Sequence, residues 1–270
     1  MSSKLDYRKC SAVVTGASGG IGEAMARELA HRGARVALVA RRRERLVELA
    51  SQIADEGGEA AVHPCDVADP DAVATVAREI ARAWGGFDLL VNNAGYVRHI
   101  LFKDHALDDI DRMMRTNYLG TVAWMKQAVP IMRSRGQGWI VNLSSFAGVL
   151  PQVDEAAYSA TKAAVSAISD ASAHELAPLG IRVMAVHPVL VRSEMFTDEV
   201  MARMPKGSAN RFIEADDFCR RLLHALERGE TSVVIPSKFR FVPKLKALFP
   251  RFIGRSVARS RLAALSDLTD

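Results

Sequence analysis

Thr15-Gly16-Ala17-Ser18-Gly19-Gly20-Ile21-Gly22 is the stretch on which the fold turns. An apolar, β-branched run at residues 12–14 leads into it, and a segment of helical period at 21–32 leads out of it. Strand, glycine-rich turn and helix therefore follow one another without a linker. Glycine at 16 permits a tight turn, and glycines at 20 and 22 let backbone and a helix N-terminus approach a pyrophosphate. An ordinary glycine-rich βα turn would read the same way in isolation, and the strand-to-helix context favours the anion site.

Outward from this turn the chain alternates short strands with longer helical segments. Strands are expected at 12–14, 36–40, 61–63, 89–91, 139–143, 183–186 and 232–235, and helices at 21–32, 42–56, 70–84, 108–132, 158–177 and 216–227. The pattern predicts an α/β fold, a Rossmann-type doubly wound sheet of seven mainly parallel strands flanked by helices. A single domain at 1–237 is expected, followed by a basic amphipathic extension at 238–270. In such a sheet the ligand sits at the C-terminal ends of the strands.

Bulk properties agree with one globular domain: 270 residues, 49% hydrophobic and 25% charged. Cys10, Cys65 and Cys219 are widely spaced and lack a CxxC, so neither a disulfide framework nor a metal site is expected. Residues 1–10 are polar, and no stretch has the length of a bilayer-spanning helix, which predicts a cytoplasmic protein. The net charge of +5 is a property of the tail, because 231–266 holds eight Lys or Arg and no Asp or Glu. No nucleic-acid module accompanies that charge.

The strand ends carry the cofactor signals. An NAD-preferring site places a carboxylate at the tip of the second strand, where this chain reads Val39-Ala40-Arg41-Arg42-Arg43. Arg41 and Arg42 suit an anionic 2′-phosphate, which predicts NADP(H) over NAD(H). Asp66 and Val67 end the third strand, and Asn93, Ala94 and Gly95 end the fourth, where adenine and ribose should lie.

The chemical signal comes from Ser145 and, thirteen residues later, Tyr158-Ser159-Ala160-Thr161-Lys162. Tyr158 and Lys162 share a helical face at i and i+4. A phenol with a reference pKa of about 10 needs a nearby cation to exchange protons near neutrality, and Lys162 supplies one. Ser145 is placed to polarise a carbonyl oxygen that Tyr158 protonates.

Taken together, TGxxxGxG, NNAG, the serine thirteen residues before YxxxK, and Asn117 in the intervening helix resemble the short-chain dehydrogenase/reductase family, over residues 10–235. The resemblance implies a catalytic tetrad of Asn117, Ser145, Tyr158 and Lys162, with Asn117 kinking its helix and holding a relay water to Lys162. It implies adenine contacts at Asp66 and Val67, ribose contacts at Asn93, Tyr158 and Lys162, and cofactor contacts through Gly16, Ser18, Gly20, Ile21, Gly22, Ala94, Gly95, Pro188 and Ser193. It also implies a homodimer or homotetramer built on the 108–132 and 158–177 helices. Two departures stand out. The family's Pro-Gly reads Pro188-Val189, predicting an altered nicotinamide loop, and its basic residue before the second glycine is Gly19 here.

Substrate contacts are expected from 96–102, 146–155 and a flap at 191–209. Phe146, Leu150, Val153, Met195, Phe196, Met201 and Met204 suggest a largely apolar pocket for a hydrophobic or lipid-like carbonyl or alcohol, although several suit an ordinary core equally well. His99 and Glu194 are candidate substrate hydrogen-bonders. The extension can lie on a membrane surface or pack against the flap or a partner subunit, with Pro250 kinking or dividing its helix. The expected activity is NADP(H)-dependent carbonyl–alcohol interconversion. The alternative is a non-catalytic NADP(H)-sensing protein of the same fold.

Overall fold

A computed structural model describes residues 5–194, 196–204 and 207–266. Met195 of the flap, and the ends of the expected domain and extension at 1–4 and 267–270, lie outside these described residues.

Seven strands form one sheet: β1 (Ser11–Thr15), β2 (Arg35–Ala40), β3 (Glu59–Pro64), β4 (Leu89–Asn92), β5 (Gly138–Leu143), β6 (Ile181–Pro188) and β7 (Ser232–Ile235). Their order is β3-β2-β1-β4-β5-β6-β7, and every pairing is parallel. The order reverses between β1 and β4, so a crevice opens there, above the C-terminal strand ends.

The flanking helices are α1 (Gly20–His31), α2 (Arg43–Asp55), α3 (Pro70–Trp84), α4 (Leu107–Met114), α5 (Gly120–Ser134), α6 (Phe146–Val149), α7 (Ala156–Leu176), α8 (Asp198–Ala202), α9 (Ala215–Glu227), α10 (Val242–Leu248) and α11 (Pro250–Ser266). Local chemistry sets their ends. The Asp69 carboxylate accepts from the backbone N–H groups of Asp71 and Ala72, and Pro70 opens α3 where its missing N–H costs nothing. One core packs α1 and α9 on the sheet through Met25, Leu29, Phe218 and Leu222. The other packs α3 and α5 through Ile80, Trp124 and Ala128. Each large side chain so buried contributes about 1.5–3 kcal/mol.

At three points the structure refines or overturns an expectation. The single helix expected at 108–132 is interrupted by a π-helical turn at Arg115–Leu119. Pro250 divides the tail helix outright, taking the first position of α11. Val189 does not divert its loop: its N–H donates to Ile235 O at 3.0 Å, extending the β6–β7 ladder. Asp154 is the one described non-glycine residue with a positive φ, so Val189 adopts ordinary backbone.

The extension packs against the substrate side. Phe239 meets Phe146 with ring centroids 5.9 Å apart, Lys246 Nζ donates to Val149 O at 2.8 Å, and Arg261 pairs with Asp154. Its outer face leaves Phe241, Leu245, Leu248, Phe249 and Phe252 exposed. Among the described residues no helix is long and apolar enough to cross a membrane. The three cysteines are buried and unbonded.

Candidate active site and dinucleotide groove

The crevice at the switch point is a groove of about 1110 Å³. Gly16, with φ of 67°, turns the chain beneath it; a Cβ there would meet Asn93 Nδ2 at 2.8 Å and Ala94 Cα at 2.9 Å. Gly22 acts one layer back. A Cβ at that position would stand 2.1 Å from Gly16 O, so glycine is required for α1 to seat against the turn.

Thr15 holds this geometry, a role the sequence reading missed. Its hydroxyl accepts from the N–H groups of Asn93 and Ala94, both at 3.0 Å, while Asn93 Nδ2 donates to Thr15 O at 2.9 Å. The glycine turn and the Asn-Asn-Ala-Gly strand end are thus one hydrogen-bonded unit. Of the expected cofactor contacts, Gly16, Ser18, Gly20, Ile21, Arg41, Arg42, Asp66, Val67, Asn93, Ala94, Gly95 and Ser193 line the groove; Gly22, Tyr158, Lys162 and Pro188 do not.

At the tip of β2 the two arginines differ. Arg41 is largely exposed and pairs with Asp66 at 3.8 Å. Arg42 reaches back to the glycine turn, Nε donating to Ser18 Oγ at 3.1 Å and Nη2 to Ser18 O at 2.9 Å. Arg45, one helical turn on, joins it: Glu194 from the flap accepts from Arg42 at 3.2 Å and from Arg45 at 3.5 Å. The i, i+3 spacing of Arg42 and Arg45 was visible in the sequence. Glu194 therefore faces the basic corner, not the substrate end.

Beneath the far half of the groove lie the expected catalytic residues. Ser145 caps α6, its hydroxyl accepting from Ala147 N at 3.1 Å, and it acts on the neighbouring Tyr158 phenol. Burial pushes the Tyr158 phenol above its ordinary range; Ser145 opposes this and the Glu155 charge adds to it. Lys162 is buried, its Nζ donating to Leu143 O at 2.7 Å and lying 5.8 Å from the Tyr158 ring centre. Burial lowers its pKa to about 8. His187 at the end of β6 steadies the backbone here, Nδ1 lying 3.4 Å from Ser145 O.

Asn117 sits fully buried in the π-helical turn, so the expected distortion is present. Its side-chain amide is committed to protein: Oδ1 accepts from Tyr96 N at 2.9 Å, and Nδ2 donates to Tyr96 O at 2.9 Å and Thr161 Oγ1 at 3.1 Å. Gly95 stands between it and Lys162; a Cβ there would lie 3.0 Å from Asn117 Oδ1 and 3.4 Å from Lys162 Nζ.

The substrate end departs from the apolar expectation. Phe146 and Leu150 are buried outside the groove, and Phe196 packs edge-on to Phe212 at 4.7 Å. The wall combines Val97, Ile100 and Leu101 with the charged or titratable Arg98, His99, Asp154, Glu199 and Arg203. The flap is pinned over it, Arg203 Nη1 donating to His99 O at 3.0 Å. A stem at Val191 and Ile213 closes the flap at its base.

Glu155 has its pKa raised to about 7 by burial, against Arg261, which lowers it, and with Asp154, which raises it; His99 Nδ1 faces it at 3.3 Å. A carboxyl raised on folding binds a proton more tightly in the native state. Its stabilisation is complete below about pH 4.5 and is lost as pH rises through about 7. Glu155→Gln is therefore expected to abolish that part of the slope. Melting temperatures of wild type and variant should diverge between about pH 5 and pH 7; parallel curves would place Glu155 in solvent-like surroundings.

Comparison with known proteins agrees with this geometry. The short chain dehydrogenase family model matches residues 11–203. An uncharacterized oxidoreductase of Mycobacterium tuberculosis is 40% identical over 191 residues, which are 68% of this chain and 56% of that protein. The chain thus spans little more than half the length of that relative. A short-chain type dehydrogenase/reductase from Mycobacterium marinum superposes with a TM-score of 0.78 at 31% identity, covering 85% of this chain and 95% of its own. A short-chain dehydrogenase from Sphingobium yanoikuyae in complex with NADPH gives 0.78 at 29% identity, covering 89% and 94%. The family match over residues 11–203 and the shared fold agree, and the chain belongs to the short-chain dehydrogenase/reductase family.

Proposed function

We propose that this oxidoreductase is NADP(H)-dependent and interconverts a carbonyl and an alcohol, with Tyr158 as the general acid and base. The observation that carries the reading is the clustering of Ser145, Tyr158 and Lys162 at the end of β5, with the buried Lys162 Nζ held on Leu143 O and 5.8 Å from the Tyr158 ring centre. The groove suits a dinucleotide, because its floor is kept free of side-chain atoms at Gly16 and bounded by Ser193. Gly16, Ser18, Gly20 and Ile21 would hold the pyrophosphate, Asp66 and Val67 the adenine, and Arg42 with Arg45 a 2′-phosphate. When bound, the cofactor supplies or accepts the hydride.

The chain's own groups handle the proton. In the reducing direction Ser145 hydrogen-bonds the carbonyl oxygen and Tyr158 donates its proton to the developing alkoxide. Lys162, held on Leu143 O, stabilises the phenolate left behind. Asn117 positions the Tyr96 segment and Thr161, both next to these groups. The substrate reading changes with the wall. An amphipathic carbonyl or alcohol, with an apolar body and a polar end facing His99 and Arg203, suits it better than a purely hydrophobic one.

Two exposed faces belong to the same reading. Leu107 and Leu119 on the α4–α5 side suit a homo-oligomer, and the outer aromatic face of α10 and α11 with its basic flanks suits an anionic membrane surface.

The test is carbonyl-dependent oxidation of NADPH and of NADH by the purified protein. NADPH should be consumed with at least one amphipathic carbonyl, and NADH much more slowly. Equal use of both would remove the phosphate role of Arg42 and Arg45.

Glu194 competes for that corner. Exposed pairs of this kind contribute about 0–1 kcal/mol, so Glu194→Gln is expected to tighten NADPH about two- to fivefold and leave NADH unchanged. Fluorescence titration reads this; weaker NADPH binding would mean that Glu194 supports the cofactor instead.

A further inference from the structure

The wall of the substrate end is fastened from behind by a residue outside the family-matched region of 11–203. Arg261 projects from α11 and is 6% exposed. Its Nε donates to Asp154 Oδ1 at 3.0 Å and Nη2 to Oδ2 at 3.2 Å, a two-point grip on a side chain that is 1% exposed. Asp154 holds a backbone φ of 61°, a conformation that L side chains rarely adopt and that needs outside support. Its carbonyl in turn accepts from Ile100 N at 2.8 Å.

Three further contacts extend the chain of connections. Arg203 on the flap clasps His99 O, and the His99 ring lies against Asp154 and Glu155 at 3.9 and 3.3 Å. Glu155 is one helical turn before Tyr158 and acts on it electrostatically. Arg261 thus stands at one end of a continuous path through Asp154, the 99–100 backbone and the flap.

We propose that Arg261 is a positioning and specificity residue of the substrate site: through Asp154 it holds the His99–Ile100 wall on which the flap closes. The C-terminal helix is then part of the active-site architecture. Cofactor binding, which uses the other half of the groove, is independent of it. The inference rests on the proposed oxidoreductase function for its kinetic consequence alone, because the wall-to-flap connection is structural.

Three variants test it: Arg261→Lys, Arg261→Gln, and Asp154→Asn combined with Arg261→Gln. The double variant leaves no unpaired carboxylate at position 154, so it separates lost positioning from a folding defect. Amide exchange should rise about tenfold or more at 99–101 and 198–204 in both Gln-containing variants, with NADPH affinity within about twofold of wild type. With a consumed carbonyl, KM should rise about tenfold while kcat changes less than about threefold, Arg261→Lys recovering part of the loss. The double variant should be no worse than Arg261→Gln, since both changes remove one ion pair.

Wild-type exchange at both segments in the folded double variant would overturn the proposal. So would an unchanged KM. If wild type consumed no carbonyl at all, the functional reading would fail, and the exchange measurement would still decide the role of Arg261.

Discussion

Tyr158→Phe is expected to lower turnover about 10²–10⁴-fold while NADPH binds as in wild type. The substitution keeps the ring and removes only the hydroxyl that Ser145 and Lys162 flank. Nothing else described is placed to replace it. Ser145 has an ordinary hydroxyl, and Lys162, with a pKa of about 8, is engaged with Leu143 O. The loss should appear in kcat, since the proton moves only as the oxygen becomes basic. A variant retaining a third or more of wild-type turnover would remove Tyr158 from the proton transfer.

The second large effect is expected at the tip of β2. Arg42→Glu should weaken NADPH by about 10²-fold, from the loss of charge-assisted hydrogen bonds worth about 1.5–3 kcal/mol and the added repulsion. NADH should change far less, because it carries no 2′-phosphate. Arg41→Glu should cost NADPH much less, since Arg41 points to solvent and pairs with Asp66, whereas Arg42 is tied to Ser18. Titration of both cofactors against both variants checks the ranking. Equal losses for NADH and NADPH in Arg42→Glu would show that Arg42 acts by bracing the glycine turn.

These expectations rest on features that differ in how openly the sequence displays them. The glycine turn, the seven strands and the Tyr158–Lys162 pair were legible because each depends on residues close in the chain. A φ of 67° at Gly16 and an i, i+4 spacing are local matters. Periodicity did not show the break at Arg115–Leu119, since apolar period continues through it from Met113 to Trp124; only the resemblance, through Asn117, implied a kink. What interrupts the helix is tertiary: Asn117 bonds to Tyr96 across a loop.

The substrate wall was misread for the same reason. Phe146 suited a pocket or a core equally, and Phe239, distant in sequence, covers it. Asp154 lay in the 146–155 segment expected to face substrate, and only the folded chain brings Arg261 to it. Arg45 was within reach, three residues beyond Arg42 on the same helix. Its significance needed Glu194 from the flap.

The central claim is that this fold moves a hydride between the nicotinamide and a carbonyl carbon while Tyr158 supplies the proton. Deuterium transfer tests it most directly: NADPH labelled at the transferable C4 position is incubated with an amphipathic carbonyl, and the alcohol formed is analysed by mass spectrometry and NMR. The account predicts one deuterium on the carbinol carbon with wild type, and alcohol formation lost in Tyr158→Phe. Unlabelled alcohol, or full label transfer by Tyr158→Phe at the wild-type rate, would contradict it.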